Sequence, residues 1–469
     1  QLTSLDVSSN TALLDLSFPE NQLTSLDVSS NTALFWLNCG QNQLTSLDVS
    51  SNTALTGLLC SNNQLTYLNM KNGVTDAYTH DWGSGFSAMT NSLTCIETLD
   101  PAYATANWTY ANGNIDDGVT FDVICGAEAQ TNWYVATTGS DASGSGTSAS
   151  PLASIQTAIN AASSGDTVSV AAGTYVENIN FNGKSITVIG DSENSTTIDG
   201  GGSGFVVTFP DVYGSDANTP TLTGFTIQNG YATSGWGDTG GGGIYCGDGT
   251  SALFSNLIIT DNTGPWGGGI WSEGSTTTLL NVTMSNNTSS GAGIYCNKGT
   301  NLTLINCILW GNTPNEITFF GYNDPNTVDV SYTDIQGGQD SIVTESNGTV
   351  TWGSGNIDAD PFFVDAANDD YHLADWSPCI GAGTATNAHE PIPEGSNPDM
   401  GAYENALGAP AEHIVISSDT LLVTEDSLAT VDFQDNDLVL NVTALVLSIL
   451  DSSSHGAVAV AGDTMLTYT

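Results

Sequence analysis

The phrase QLTSLDVSSNTAL begins at Gln1, Gln22 and Gln43, and a worn copy, QLTYLNMKN, begins at Gln64. A repeat of 21 residues is too short to bury its own apolar face. It can do so only by stacking on its neighbours, which makes this stretch a solenoid. Each repeat holds two LxxLxx phrases, such as Leu23 with Leu26 and Leu34 with Leu37. Leucines at that spacing point inward from short strands. Asn31, Asn42 and Asn52 stand where the turns would otherwise leave backbone groups unsatisfied.

These residues resemble the leucine-rich repeats of bacterial surface proteins, over 1–76 by repeat register. Residues 77–126 are expected to close that solenoid. Within them the run NSLTCIETLDPAYATANWTYANGNIDDGVTFDVIC (91–125) resembles the C-terminal cap of such repeats. The resemblance implies a disulfide between Cys95 and Cys125, with two separate buried thiols as the alternative.

A second unit is expected over 132–404. After a turn-rich stretch, Leu152, Ile155, Ile159 and Ala162 share one helical face, with Pro151 at the expected start and Gly165 past the end. Strands are expected at 167–170 and 185–189. Farther on, FSNLIITDN, LLNVTMSNN and LINCILWGN place Asn256, Asn281 and Asn306 at intervals of 25 residues. The phrases GGGIYC, GGGIWS and GAGIYC recur in step, ending at Cys246, Ser272 and Cys296. Two phrases recurring in register mean one coil per repeat. The entry segment WYVATTGS…AGTYVENI and the closing segments 358–383 and 398–404 resemble those of right-handed parallel β-helix proteins of the pectin-lyase type. That resemblance implies a helix capping the first coil and a closing coil at the end.

Residues 413–469 alternate in short apolar runs and resemble an incomplete cadherin-like β-sandwich repeat. The expected fold class is therefore all-β: a leucine-rich repeat solenoid, then a right-handed parallel β-helix, then a partial β-sandwich.

Charge narrows the partners. Fifty acidic residues face three lysines, Lys71, Lys184 and Lys298, for a net charge of −47. Nucleic-acid phosphates and anionic membranes are recognised by clusters of Lys and Arg, which this chain cannot assemble. The longest apolar run, 438–450, is broken by Asn441 and Thr443 and is too short to span a bilayer. The chain opens in mid-repeat with no signal segment. A secreted or cell-surface location, and a longer parent protein carrying the signal and anchor, are expectations from composition and resemblance.

Enzymes of the pectin-lyase type act on polysaccharides. A lyase takes a proton α to a uronate carboxylate with Arg or Lys as base, and here there is no arginine while Lys184 and Lys298 sit in turns. A hydrolase needs two carboxyls across the scissile bond. Asp238, Asp248, Asp261 and Glu273 are the candidates, and each is equally a turn former. The cysteines lack zinc spacing. Cys39 and Cys60 share a slot with Phe18, which marks it as apolar. Cys246 and Cys296 stand two rungs apart, about 9.6 Å, beyond disulfide reach. Asp358, Asp360, Asp365, Asp369 and Asp370 crowd one segment and could hold Ca²⁺ or form an ordinary acidic turn. No other cofactor is expected.

Aromatic residues carry the functional expectation. Ile244, Ile270 and Ile294 are equivalent inward positions, so alternation sends Tyr245, Trp271 and Tyr295 outward. Trp236, Trp266 and Trp310 lie on nearby coils. Three stacked, exposed rings would form a platform for pyranose rings, unless a loop over 231–241 covers them. The function expected is non-catalytic adhesion to a glycan or another cell surface, with a polysaccharide-degrading enzyme as the alternative.

Overall fold

The computed structural model describes residues 1–73, 79–80, 83–126, 130–212, 219–232, 234, 242–321, 324–385, 392–415, 429–432, 438–441, 458–461 and 465–468. Strands dominate it, and among the described residues no helix is long and apolar enough to cross a membrane.

The 21-residue repeats build two parallel four-stranded sheets. One contains Asp15–Ser17, Trp36–Asn38, Gly57–Leu59 and Phe86–Ser87; the other contains Ser46–Asp48, Tyr67–Asn69, Cys95–Glu97 and Thr120–Asp122. Leu16, Leu37 and Leu58 lie in one register. Leu23, Leu34, Leu37 and Leu44 are fully buried. Asn52 shows why the asparagines recur: its Nδ2 donates to the carbonyls of Val28 and Asn31 on the preceding coil, at 3.0 and 2.9 Å. Such bonds satisfy turn carbonyls that stacking cannot reach. Cys95 and Cys125 form a disulfide across neighbouring rungs. The other six cysteines are free and buried.

Asn69 donates to Ala142 O at 3.0 Å and Asn160 to Leu99 O at 2.7 Å, tying this solenoid to the next. The helix at the junction is Ile155–Ala161, shorter than expected. Ser154 caps its N-terminus, because Leu152 is taken by pairing with Tyr134 and Val135. Glu177 accepts from the N–H groups of Ile155 and Gln156. Lys184 Nζ donates to the carbonyls of Ile159, Asn160 and Ala162 at 2.7–2.8 Å. A carboxylate at one end and a cation at the other complement the helix dipole. Ile155, Ala158 and Ile159 cover the first coil.

Beyond the helix the strands are parallel. The longest sheet runs from Asn132–Val135 to Gly348–Trp352, and a seven-stranded sheet runs from Ile179–Asn180 to Ile342–Val343. Ile244, Ile270, Ile294, Ile317 and Ile342 occupy one inward row. Asn281 donates to Asn256, and Asn306 to Asn281, each at 3.1 Å. All three sit at positive φ, 51–54°, which asparagine tolerates better than most residues. A second ladder runs through Asn262, Asn287 and Asn312. Glycine beside it is a requirement of space: a Cβ on Gly293 would stand 2.8 Å from Asn312 Cβ.

The expected closing coil is corrected. Strand stacking ends at Gly348–Trp352 with a last bridge at Ile357. The described residues of 359–407 instead return along the outside as a strap. Tyr371 OH meets Thr260 Oγ1 at 2.6 Å, Thr384 exchanges two hydrogen bonds with Asn306, and Gly401 N donates to Asn306 O. The strap has its own apolar residues to bury (Leu373, Cys379, Ile380 and Met400), which pack around Ile308. In the described parts of 413–469, His413–Val415 pairs with Leu438–Leu440, and Met465–Tyr468 pairs with Ala429–Asp432 and Val458–Ala461, all antiparallel.

Candidate functional site: an aromatic groove on the seven-stranded sheet

Tyr245, Trp271 and Tyr295 lie in register and alternate with the inward isoleucines. They do not form an exposed platform. Their exposures are 3, 0 and 5%. Neighbouring rings meet edge-on, Tyr245 with Trp271 at 88° and Trp271 with Tyr295 at 84°. Phe205 lies 5.4 Å from Tyr245, and Trp266 lies 5.5 Å from Tyr295. Alternation fixes the direction of a side chain and leaves open what covers it. Here large rings on adjacent rungs bury one another in an apolar layer outside the coil. Trp310 belongs to a different cluster, against the strap. Trp236, Asp238 and most of 231–241 lie outside the described residues.

One end of the layer opens into a groove of about 470 Å³. Trp266, Tyr295 and Phe320 supply apolar wall, and Asn315, Thr318 and Glu345 supply polar groups. Burial, with Glu345 adding its charge, raises the Tyr295 phenol to about 12, so it stays a neutral donor. Phe320 was missed in the sequence. It stands two residues past Thr318, which pairs with Tyr295, so extending the outward parity by one coil finds it.

At the other end, Tyr245 OH lies 3.2 Å from both Asp211 Oδ1 and Glu273 Oε2. Glu273 Oε1 is 2.6 Å from Lys298 Nζ, and Asp248 N donates to Asp211. Asp248 and Glu273 are thus brought near each other, but Glu273 is already engaged by a cation and a phenol. The hydrogen bond to Glu273 raises Lys298, which keeps it charged.

Asp261 lies elsewhere, on the strap side. Burial, then a hydrogen bond and repulsion from Asp369, raise its carboxyl. This pair joins residues expected for two different roles, one catalytic and one calcium-binding. The remaining acids of that segment do not converge. Asp358 accepts from Gly337 N, Asp360 from Phe362 N, Asp365 from Asn368, and Asp370 from His372. Asp360, Asp365 and Asp370 are satisfied within short local turns, whereas Asp358 bonds back to a turn 21 residues earlier. Among the described residues no three His, Cys, Asp or Glu side chains are grouped to hold a metal ion.

A family model described as right handed beta helix region matches residues 157–353. With the parallel sheets above, the central unit is a right-handed parallel β-helix. Among solved structures, the chain is similar to the pectate lyase Pel9A, at 16% identity over 59% of this chain and 96% of that one, with a TM-score of 0.26. It is also similar to a functional domain of InlJ from Listeria monocytogenes that includes a cysteine ladder. That likeness has 18% identity over 61% of this chain and 68% of that one, with a TM-score of 0.18. No curated protein matches the chain.

Proposed function

We propose that the protein is a secreted or cell-surface bacterial repeat protein that binds a neutral glycan and catalyses nothing. In this reading its N-terminal coils are leucine-rich repeats, its C-terminal strands belong to a cadherin-like sandwich, and both extend or space the β-helix. The groove walled by Trp266, Tyr295 and Phe320 carries the proposal. A pyranose offers an apolar face to rings and hydroxyls to Asn315, Thr318 and Glu345. A net charge of −47 disfavours uronates and sulfates. The test is a glycan array probed with the full chain and with Phe320→Ala. Neutral glycans retained by the wild type and lost by the variant support the proposal; equal retention sinks it.

A second reading, a polysaccharide hydrolase, would use the raised carboxyl of Asp261 as its acid, with a partner other than Asp369, whose hydrogen bond to Asp261 holds the two closer than the spacing glycosidases keep. Release of reducing ends from neutral polysaccharides, abolished by Asp261→Asn, would establish it.

A further inference from the structure

We propose that the aromatic groove continues into a polar subsite built around Glu316, so that the protein recognises a neutral oligosaccharide across at least two sugar units. This rests on the glycan reading above and deepens it. A second cavity, of about 420 Å³, shares Pro314 and Asn315 with the groove as a common wall. Each volume lies within the roughly 300–1,000 Å³ usual for small-molecule sites.

The two cavities differ in chemistry. Rings form one wall of the first, whereas Asn312, Asn315, Glu316, Gln336 and Ser341 line the second. Glu316 is only 3% exposed, yet it lines the cavity. Asn312 holds it in place, its backbone N–H donating to Oε1 at 3.1 Å and its Nδ2 to Oε2. Asn312 is itself the last rung of the ladder from Asn262 and Asn287, so the carboxyl stands on a rigid stack. A carboxyl has about four acceptor positions. Asn312 engages it twice without exhausting them, while the neighbouring Gly311 N–H donates to Gln336 Oε1 at 2.8 Å. Burial pushes Glu316 up to about 7, and either protonation form can bond a sugar hydroxyl.

Amides, a hydroxyl and a carboxyl beside an aromatic wall suit two successive sugar rings. One ring stacks in the groove, and the next turns its hydroxyl rim to the polar wall. No Lys, Arg or His lines either cavity, so an acidic sugar would meet Glu316 and Glu345 uncompensated.

Neutral cello-, manno- and xylo-oligosaccharides of increasing length, with a galacturonate series as control, are titrated into the full chain by calorimetry. Phe320→Ala is expected to weaken every neutral ligand that binds. Gln336→Ala with Ser341→Ala, and separately Glu316→Gln, are expected to weaken only those longer than the shortest binder, by roughly three- to tenfold. Gln336 is exposed and Ser341 half-buried, and their truncation keeps the test valid if Glu316→Gln fails to fold. Wild-type affinity of the double variant for the longer ligands overturns the polar subsite while leaving the groove standing. Wild-type affinity in Phe320→Ala removes the groove and the subsite together, as does the absence of binding to any neutral series.

Discussion

The Cys379 thiol lies 3.3 Å from Asp334 Oδ2 with both residues wholly buried, joining the strap to the β-helix by a hydrogen bond to a carboxyl. Burial pushes Asp334 up to about 7, with Asp358 and Asp360 adding repulsion. Asp399, also on the strap, is raised by burial to about 6. An acid whose folded value is raised stabilises fully below its unfolded value, near 3.8, and loses that stabilisation as pH rises through the folded one. The strap should therefore hold best below about pH 4 and loosen progressively from there up to about pH 6 for Asp399 and about pH 7 for Asp334. Hydrogen exchange of residues 371–380, followed from pH 4 to 8, is expected to quicken beyond the intrinsic rate up to about pH 7. Asp334→Asn should flatten much of that dependence, and an unchanged profile in the variant would refute the assignment.

Asn287 is predicted to be the costliest of the ladder residues to remove. Its side chain donates to Ile259 O and Ser285 O and accepts from Asn262. Asn287→Ala would leave those buried groups unpaired, at about 1–3 kcal/mol each before relaxation. Denaturant unfolding should show a loss of at least about 2 kcal/mol. Asn286 is exposed, and among the described residues its side chain donates to Tyr371 OH alone. Asn286→Ala should cost less than half as much.

Trp271→Ala is predicted to act on stability. The ring is completely buried within van der Waals reach of several others, so truncation leaves a cavity worth about 3–5 kcal/mol. Thermal unfolding should fall clearly, while Phe320→Ala at the groove should leave it nearly unchanged and alter glycan retention instead. The reverse pattern would mean that the buried layer is the binding surface.

The ladder through Asn256, Asn281 and Asn306 could be read from recurrence because each coil repeats one local problem, a tight turn at positive φ. The second ladder lay in the same phrases, three residues beyond LII, VTM and CIL, and needed only the same alignment. Burial of Trp271 could not be read that way. Period-two alternation states which side of a strand a residue takes, and coverage depends on Phe205, placed by an earlier coil, and on Trp266, in the turn leading into the strand of Trp271 itself. The strap was illegible for a similar reason. Its contacts join Tyr371 to Thr260 and Cys379 to Asp334, pairs far apart in sequence and without any periodic signal. Asp261 and Asp369 therefore stood as separate acids until the fold brought them together.

All three lysines are engaged internally, and Lys71 offers the sharpest test of what that means. Lys71 Nζ lies 3.0 Å from Glu97 Oε2, with side-chain exposures of 3 and 9%. Glu97 also accepts from Tyr67 OH and Cys125 N, both at 3.2 Å. Replacing Lys71 by Met keeps the apolar stem and strands a buried carboxylate, which typically costs about 3–5 kcal/mol. Adding Glu97→Gln removes the stranded charge and should restore most of the loss, because a buried ion pair is itself weakly stabilising against a neutral isostere. Hydrogen exchange of the peptides around Leu68 and Ile96, both buried beside the pair, reads the local effect even where the solenoids unfold separately. Protection should collapse in Lys71→Met and recover in the double variant. Equal protection in the single variant and the wild type would show that the cation is dispensable to this junction and that its burial carries no structural role.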